Sequence, residues 1–377
     1  MKWRRTWAVA RKEFLHVMRD ARSLTMALAT PVLLLILMGY ALTLDVNKVP
    51  LAVWDQSGTE RSRELIGRFV GSRYFSLCFY VNNYADLMQG INQGRVVMGL
   101  IVPRDFAQQI GAGRNAAVQL ILDGTDSNTA TIALGYADVI AQVYAFDFNL
   151  EQSRRRGGAR LTVPLDVRPR VWYNEDLDSR NYIIPGLIAV IMMVISAMLT
   201  SLTVAREWER GTMEQLISTP LKVSELILGK LTPYFAVGAF SVILAMTMGE
   251  FLFHVPLRGS VALLLGTSAL FLVGSLGMGI LISIVTKNQL LANQLAGVAT
   301  LLPAFLLSGF IYNIANMPQA IQAVTYFVPA RYFVAILNGI YLKGVGFEIL
   351  AGQLVLLVIF AAAMLLLAHW TFHKRLE

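Results

Sequence analysis

Hydrophobic positions along this chain fall into two textures. Uncharged runs cover residues 23–44, 181–205, 231–249, 259–286, 288–330 and 349–372. A bilayer-crossing helix needs about 20 apolar residues, so five of these runs each read as one span. The run 288–330 is too long for a single crossing. It divides into a span within 288–312, its helix at 290–312, and a short hairpin or re-entrant piece around 313–328 that is rich in Asn and Pro. The predicted spans are 23–44, 181–205, 231–252, 259–286, 288–312 and 347–372, with 313–346 as a loop or re-entrant region and 373–377 as a tail. The expected fold class is therefore an α-helical integral membrane protein with six transmembrane helices.

From residue 45 to residue 180 the pattern is different. Short apolar runs at 49–54, 74–81, 96–102 and 117–122 read as strands, and amphipathic stretches at 61–70, 84–92 and 128–150 as helices. Strands alternating with helices predict an α/β domain with its own core, inserted between the first and second spans. A polar break at Arg154–Gly158 precedes 167–173, which reads as one more strand.

The first segment, 1–22, carries Lys2, Arg4, Arg5, Arg11, Lys12, Arg19 and Arg22. Trp3, Trp7, Phe14 and Met18 recur at spacings near four and seven, which places them on one side of a helix. That pattern predicts an interfacial helix with its aromatic side in the headgroup region and its basic side, Arg11 included, toward anionic lipid. The apolar run that follows is long for a signal-peptide core and no small-residue cleavage site follows it, so it reads as an uncleaved first span.

Between the second and third spans lies a charged island, 206–230. Thr212 and Gln215 have capping-box spacing, and Met213, Leu216, Ile217 and Leu221 recur on one face of a short helix. Pro220 disfavours helical geometry at Thr219 and ends that helix. Ser224 is placed to cap the next one, with Glu225 in its first turn.

Composition agrees with a membrane assignment. Of 377 residues, 56% are hydrophobic and only 15% charged, and the mean hydropathy is +0.57, too apolar for an ordinary soluble domain. The net charge of +8 reflects orientation on the bilayer rather than nucleic-acid binding. With the N-terminus inside, the cytoplasmic side takes the basic first segment and Arg206, Arg210, Lys222, Lys230, Lys287, Lys374 and Arg375; the outer short loops take Arg258, Arg331 and Lys343. Both termini are then cytoplasmic and the α/β domain is extracytoplasmic. Cys78 is the single cysteine, so an intrachain disulfide and a cysteine metal cage are excluded, and no metal site is expected.

Other motifs read as structure. Gly274, Gly277 and Gly279 lie within apolar helix, where small residues let spans approach closely. The turn 123–128 reads as a strand-to-helix connection with Asp126 or Ser127 as cap. Glu250 and His254, four apart at the outer end of the third span, are placed at the interface, where they stay hydrated; a proton-coupling pair is the rival reading. Pro185-Gly186, Pro233 and Pro303 are candidate helix kinks. The chain has no GxxxxGK[ST] phosphate loop and no hydrolase constellation, so energy for transport would come from a partner or an ion gradient.

The run Arg206-Glu207-x-Glu209-Arg210-Gly211-Thr212-x-Glu214-Gln215-Leu216-x-x-Thr219-Pro220 resembles the segment after the second membrane helix in ABC type-2 transporter permeases. The order of segments along the whole chain is similar to theirs as well, and Pro329-Ala330-Arg331-Tyr332 resembles part of that family's outer re-entrant region. The resemblance implies a permease subunit of an exporter in the bacterial inner membrane, without ATPase motifs of its own. ATP and Mg are used by the partner subunit, and this chain binds no cofactor. The implied partners are two ATP-binding subunits, a second permease copy or sister subunit, membrane lipid and, outside, a periplasmic adaptor. The implied coupling contact comprises Arg206, Glu207, Arg210, Gly211, Thr212, Glu214, Gln215, Leu216, Thr219 and Pro220. A hydrophobic or amphiphilic cargo, drug-like or lipid-like, suits the apolar spans. The alternative is a membrane-anchored sensor whose outer α/β domain binds a ligand.

Overall fold

The computed structural model describes residues 2–42, 48–155, 172–174 and 178–372. The chain divides into two compact units, Met1–Thr43 with Arg170–Glu377, and Leu44–Pro169. The first unit opens with α1 (Trp3–Arg19) and α2 (Ala21–Ala41), separated by Asp20. Pro31 sits inside α2.

The second unit is an α/β sandwich. Its elements are β1 (Val49–Asp55), α3 (Glu60–Val70), β2 (Phe75–Tyr80), α4 (Tyr84–Asn92), β3 (Met98–Val102), α5 (Phe106–Gly111), β4 (Gln119–Leu122) and α6 (Ser127–Arg155). The sheet order is β2-β1-β3-β4, with β1 parallel to both β2 and β3 and β4 antiparallel to β3. The period-2 alternation puts Leu51, Val53, Leu100 and Val102 on one face with α3 and α6, and Ala52 and Ile101 on the other with α4. The helix starts are set by caps. The Thr59 side chain accepts the Ser62 N–H, Asn83 accepts the Asp86 N–H, and Asp126 accepts the Asn128 and Thr129 N–H groups. The Thr129 hydroxyl and backbone N–H also hold the Asp126 carboxyl below the usual carboxylate range. α5 has six residues and no side-chain cap bond, so it leaves little trace in the sequence. The strand expected at 167–173 lies outside the described residues except for Trp172 and Tyr173, which are not in a strand.

Back in the first unit come α7 (Ser179–Glu209), α8 (Thr212–Ser218), α9 (Val223–Phe251), α10 (Val261–Thr286), α11 (Gln289–Leu307), α12 (Gln319–Thr325), α13 (Pro329–Asn338), a π-helical turn Gly339–Lys343, and α14 (Phe347–Thr371). Among the described residues, six helices are long and apolar enough to cross a membrane: α6, α7, α9, α10, α11 and α14. The set differs from the predicted one. The apolar stretch of α2, Ala27–Ala41, is shorter than the others, and α6 qualifies by length and composition. Part of the apolarity of α6 is used within its own unit: Ala133, Ala137 and Tyr144 join the sheet core and Tyr136 stacks on Tyr74 at 3.9 Å. The fifth span ends at Leu307 rather than 312, because Gly309 turns the chain at φ +83°. Within the region 313–346, two helical pieces, Gln319–Thr325 and Pro329–Lys343, are bent by 85° to one another.

α7 is the hub of this unit, with 78% of its most apolar window buried. Three of the four glycines of α10 serve two neighbours. A Cβ on Gly274 would lie 2.6 Å from Phe360, and one on Gly277 3.3 Å from Met364, both on α14. One on Gly279 would collide with the Ala197 carbonyl oxygen of α7. At that crossing the Thr200 hydroxyl donates to Leu276 O at 2.9 Å, and Ser283 Oγ accepts the N–H groups of Val204 and Ala205 at 3.0 and 2.9 Å. Gly279→Val is expected to cost about 1–3 kcal/mol as an overpacked contact. Thermal unfolding in detergent checks this, against Gly266→Val, whose added Cβ meets nothing within 4 Å.

Candidate functional site

The charged segment after the second span holds two helical pieces interrupted at Pro220, and the second span runs on into it. α7 continues through Arg206 and Glu207 to Glu209, and the chain then turns at Gly211 with φ +69°, a left-handed geometry that glycine adopts without a Cβ clash. Thr212 is therefore not an N-cap, contrary to the capping-box expectation. Gly211 takes the cap position, and the Thr212 hydroxyl donates backward to Glu207 O at 3.3 Å. α8 buries Met213, half-buries Leu216 and Ile217, and leaves Glu214, Gln215 and Ser218 exposed. Thr219 closes it in an extended conformation ahead of Pro220, its hydroxyl donating to Leu216 O at 2.6 Å. Arg210, Gly211 and Pro220 are exposed as well, so the polar side of α8 and its flanking turns form one outward surface.

Ser224 is not the cap of α9 either. Lys222 holds that position, because Glu225 reaches back to accept its N–H at 3.1 Å. The other oxygen of Glu225 accepts the Lys2 N–H at 2.6 Å, and Arg5 donates to Pro220 O. The start of α1 is thus tied to both ends of the turn between α8 and α9.

α1 has two working faces. Trp3, Trp7 and Phe14 remain exposed, and Arg11 is exposed among them, four residues from Trp7 and three from Phe14, so it shares the aromatic side instead of lying on a separate basic one. The opposite face, Thr6, Val9, Ala10, Glu13 and Val17, is buried. It seats on α9 at Gly229, where a Cβ would lie 2.7 Å from Val9 Cβ.

At this seam sits a buried ion cluster. Lys230 Nζ lies 2.9 Å from Glu13 Oε1 and 2.9 Å from Glu207 Oε2, and it donates to Thr203 O at 3.4 Å. Lys12 Nζ pairs with the other Glu207 oxygen at 2.8 Å. Next to it, Arg206 Nη1 lies 2.7 Å from His16 Nε2 and 3.4 Å from Asp20, and Arg206 Nε donates to Gln289 at 3.2 Å. Gln289 in turn donates its backbone N–H to Glu209 at 2.8 Å, and Lys287 lies 4.9 Å over the Trp208 ring. A cavity of about 140 Å³ opens among Lys12, Glu13, Arg206, Glu207, Thr212 and Tyr234.

The predicted residues therefore separate by role. Glu214, Gln215, Arg210, Gly211 and Pro220 face outward; Arg206 and Glu207 hold the segment to α1, α9 and α11, Leu216 packs against the core, and Thr212 and Thr219 brace the segment's own turns. Lys12, Glu13, His16, Asp20, Glu225, Lys230 and Gln289 enter only with the structure. Two signals for them exist in the sequence: a lysine at the edge of an apolar run, and Glu13 in register with Thr6, Val9 and Val17. Chemically the arrangement pairs charges and braces helices. Among the described residues, no group of three or more His, Cys, Asp or Glu side chains could hold a metal ion.

Comparison with known proteins agrees with this architecture. The family described as ABC-2 family transporter protein matches residues 22–370. The chain is 39% identical over 376 residues to the probable multidrug ABC transporter permease YbhS of Escherichia coli, covering 100% of this chain and 98% of that protein. It is 31% identical over 372 residues to the probable multidrug ABC transporter permease YbhR of the same organism, covering 98% and 99%. The inner membrane transport permease YhhJ of Escherichia coli is 26% identical over 336 residues, covering 88% and 86%. The match runs through the spans, the sheet-bearing insertion and the charged segment alike, and the chain belongs to the ABC-2 family of transporter permeases.

Proposed function

We propose that this chain is the membrane-spanning subunit of an ATP-driven exporter that moves a hydrophobic or amphiphilic molecule out of the cytoplasm or the inner leaflet. Membership of the permease family implies an ATP-binding partner subunit. In this reading it docks on the outward polar side of α8, two copies serving a pair of permeases. Both termini are cytoplasmic and the α/β unit is outside. The observation that carries the reading is the division of the segment 206–220. Its apolar side and Glu207 are locked into the helix bundle, whereas Glu214 and Gln215 face outward.

Such a surface suits transmission of force. A push on α8 reaches α7 through Gly211 and α9 through the turn at Pro220, while the ion cluster carries it to α1. Coupling of this kind requires that the partner contact α8 differently in its ATP-bound and ATP-free states. A drug-like cargo is supported by the names of YbhS and YbhR, each a probable multidrug permease, and a hydrophobic or amphiphilic one, lipid-like included, by the apolar spans.

The test is co-expression with an ATP-binding subunit, joint purification, and assay of ATP hydrolysis together with uptake of an amphiphilic dye into inside-out vesicles, whose cytoplasmic face is outermost. Co-purification with ATP-dependent dye movement is the expected result. A permease that purifies alone and moves nothing when the ATP-binding subunit is present would overturn the reading.

A further inference from the structure

At the end of the helix bundle away from α8, a cavity of about 550 Å³ opens between the start of α7, the turn after α11, one face of α13 and the first turns of α14. Arg331, Val334, Ala335 and Asn338 line it at helical spacing on α13. The Arg331 guanidinium lies 3.9 Å over the Tyr326 ring. Only its Nη1 is engaged, by the Thr325 hydroxyl and by Gln322 O at 3.5 Å. Among the described residues its Nε and Nη2 donors make no hydrogen bond and no carboxylate pairs with it.

Asn338 lines the same cavity, and its Oδ1 is buried without a hydrogen-bond partner among the described residues. Of the three tyrosines there, two have committed hydroxyls, Tyr182 donating to Gly309 O and Tyr332 to Tyr326 O at 2.6 Å. The unmet chemistry is therefore two-ended. A planar cationic fork asks for an oxyanion, which such a fork engages with two parallel hydrogen bonds. Two turns along α13, about 10 Å on, an acceptor asks for a donor. Leaving a buried polar atom unpaired is costly, so a ligand that meets both ends is favoured over one that meets either.

We propose that this cavity binds the head group of a membrane glycerophospholipid, its phosphate on Arg331 and its terminal hydroxyl or ammonium donor at Asn338. The volume suits a head group rather than a whole lipid. The acyl chains then follow α14, whose Val355, Leu356 and Ile359 are exposed below the lining residues Gly352 and Gln353. The site stands on the membrane location of the chain and holds whether or not it exports anything. A free phosphate ester offers the same anion, without chains to lie along α14.

The test uses the full chain in detergent, titrated with dihexanoyl-phosphatidylglycerol and read by native mass spectrometry. Arg331→Gln is expected to weaken binding at least ~10-fold, the size of a lost charge-assisted contact. Dihexanoyl-phosphatidylmethanol, equally anionic but without a terminal hydroxyl, is expected to bind more weakly than the glycerol lipid. Asn338→Leu is expected to abolish that difference. Equal binding by wild type and R331Q overturns the site, and displacement of the lipid by glycerol phosphate at equal concentration reassigns it to a soluble phosphate ester. Should R331Q not fold, the two-lipid comparison in N338L decides: an unchanged preference for the glycerol head overturns the proposal.

Discussion

Lys230→Met is expected to remove most of the protein from the folded, monodisperse pool in detergent. The side chain is 1% exposed, and its two carboxylate partners, Glu13 and Glu207, are 6% and 8% exposed. Breaking a buried ion pair by deleting one member leaves an uncompensated charge in low dielectric, at a cost of about 3–5 kcal/mol. The burden falls unequally. Glu207 keeps Lys12, whereas Glu13 has Lys230 as its single ion-pair partner among the described residues. The double variant Lys230→Met with Glu13→Met is therefore expected to recover most of the loss, because no orphaned charge then remains on α1. Size-exclusion profiles after graded heating of the four proteins of this cycle measure the coupling. A single variant within about 0.5 kcal/mol of wild type, the range of an ordinary surface change, would show that the cluster is hydrated rather than buried.

What could be read in advance follows from how local each feature is. The spans are long and uncharged, and the strands alternate over their own length, so both are visible within a window of 20 residues. The exposed aromatic stripe of α1 is visible for the same reason: Trp3, Trp7 and Phe14 are set by helical period alone. The ion cluster is not local. Lys230 meets Glu13 across 217 positions of chain and Glu207 across a helix crossing, and nothing in either neighbourhood names the other. The two cap assignments failed for a related reason. Thr212 and Ser224 are intrinsically good caps, but Gly211 turns the chain in a way Thr212 cannot, and Glu225 is drawn to Lys222 and to the start of α1, a partner from the far end of the sequence. The glycines of α10 were legible as close-approach residues, yet their assignment to two different helices needed the packed bundle.

Glu214→Lys separates the docking surface from the scaffold behind it. Glu214 is exposed in the first turn of α8 and makes no ion pair or hydrogen bond among the described residues. Its reversal removes a favourable interaction with the helix dipole, about 0.3–1 kcal/mol, and disturbs nothing packed. The variant is therefore expected to purify like wild type and to melt within a few degrees of it. The effect falls on the partner. A contact built for a negative charge meets a positive one, and like-charge juxtaposition at an interface costs several kcal/mol. Recovery of the ATP-binding subunit, or transport per ATP hydrolysed, is expected to drop at least ~10-fold, which needs only about 1.4 kcal/mol. Met213→Asp, one position away and fully buried, is expected to fail earlier by losing the fold, since its side chain is part of the core beneath α8. A Glu214→Lys protein that docks and transports normally, beside a Met213→Asp protein that does not fold, would make α8 a structural clamp and move the partner surface elsewhere on the charged face.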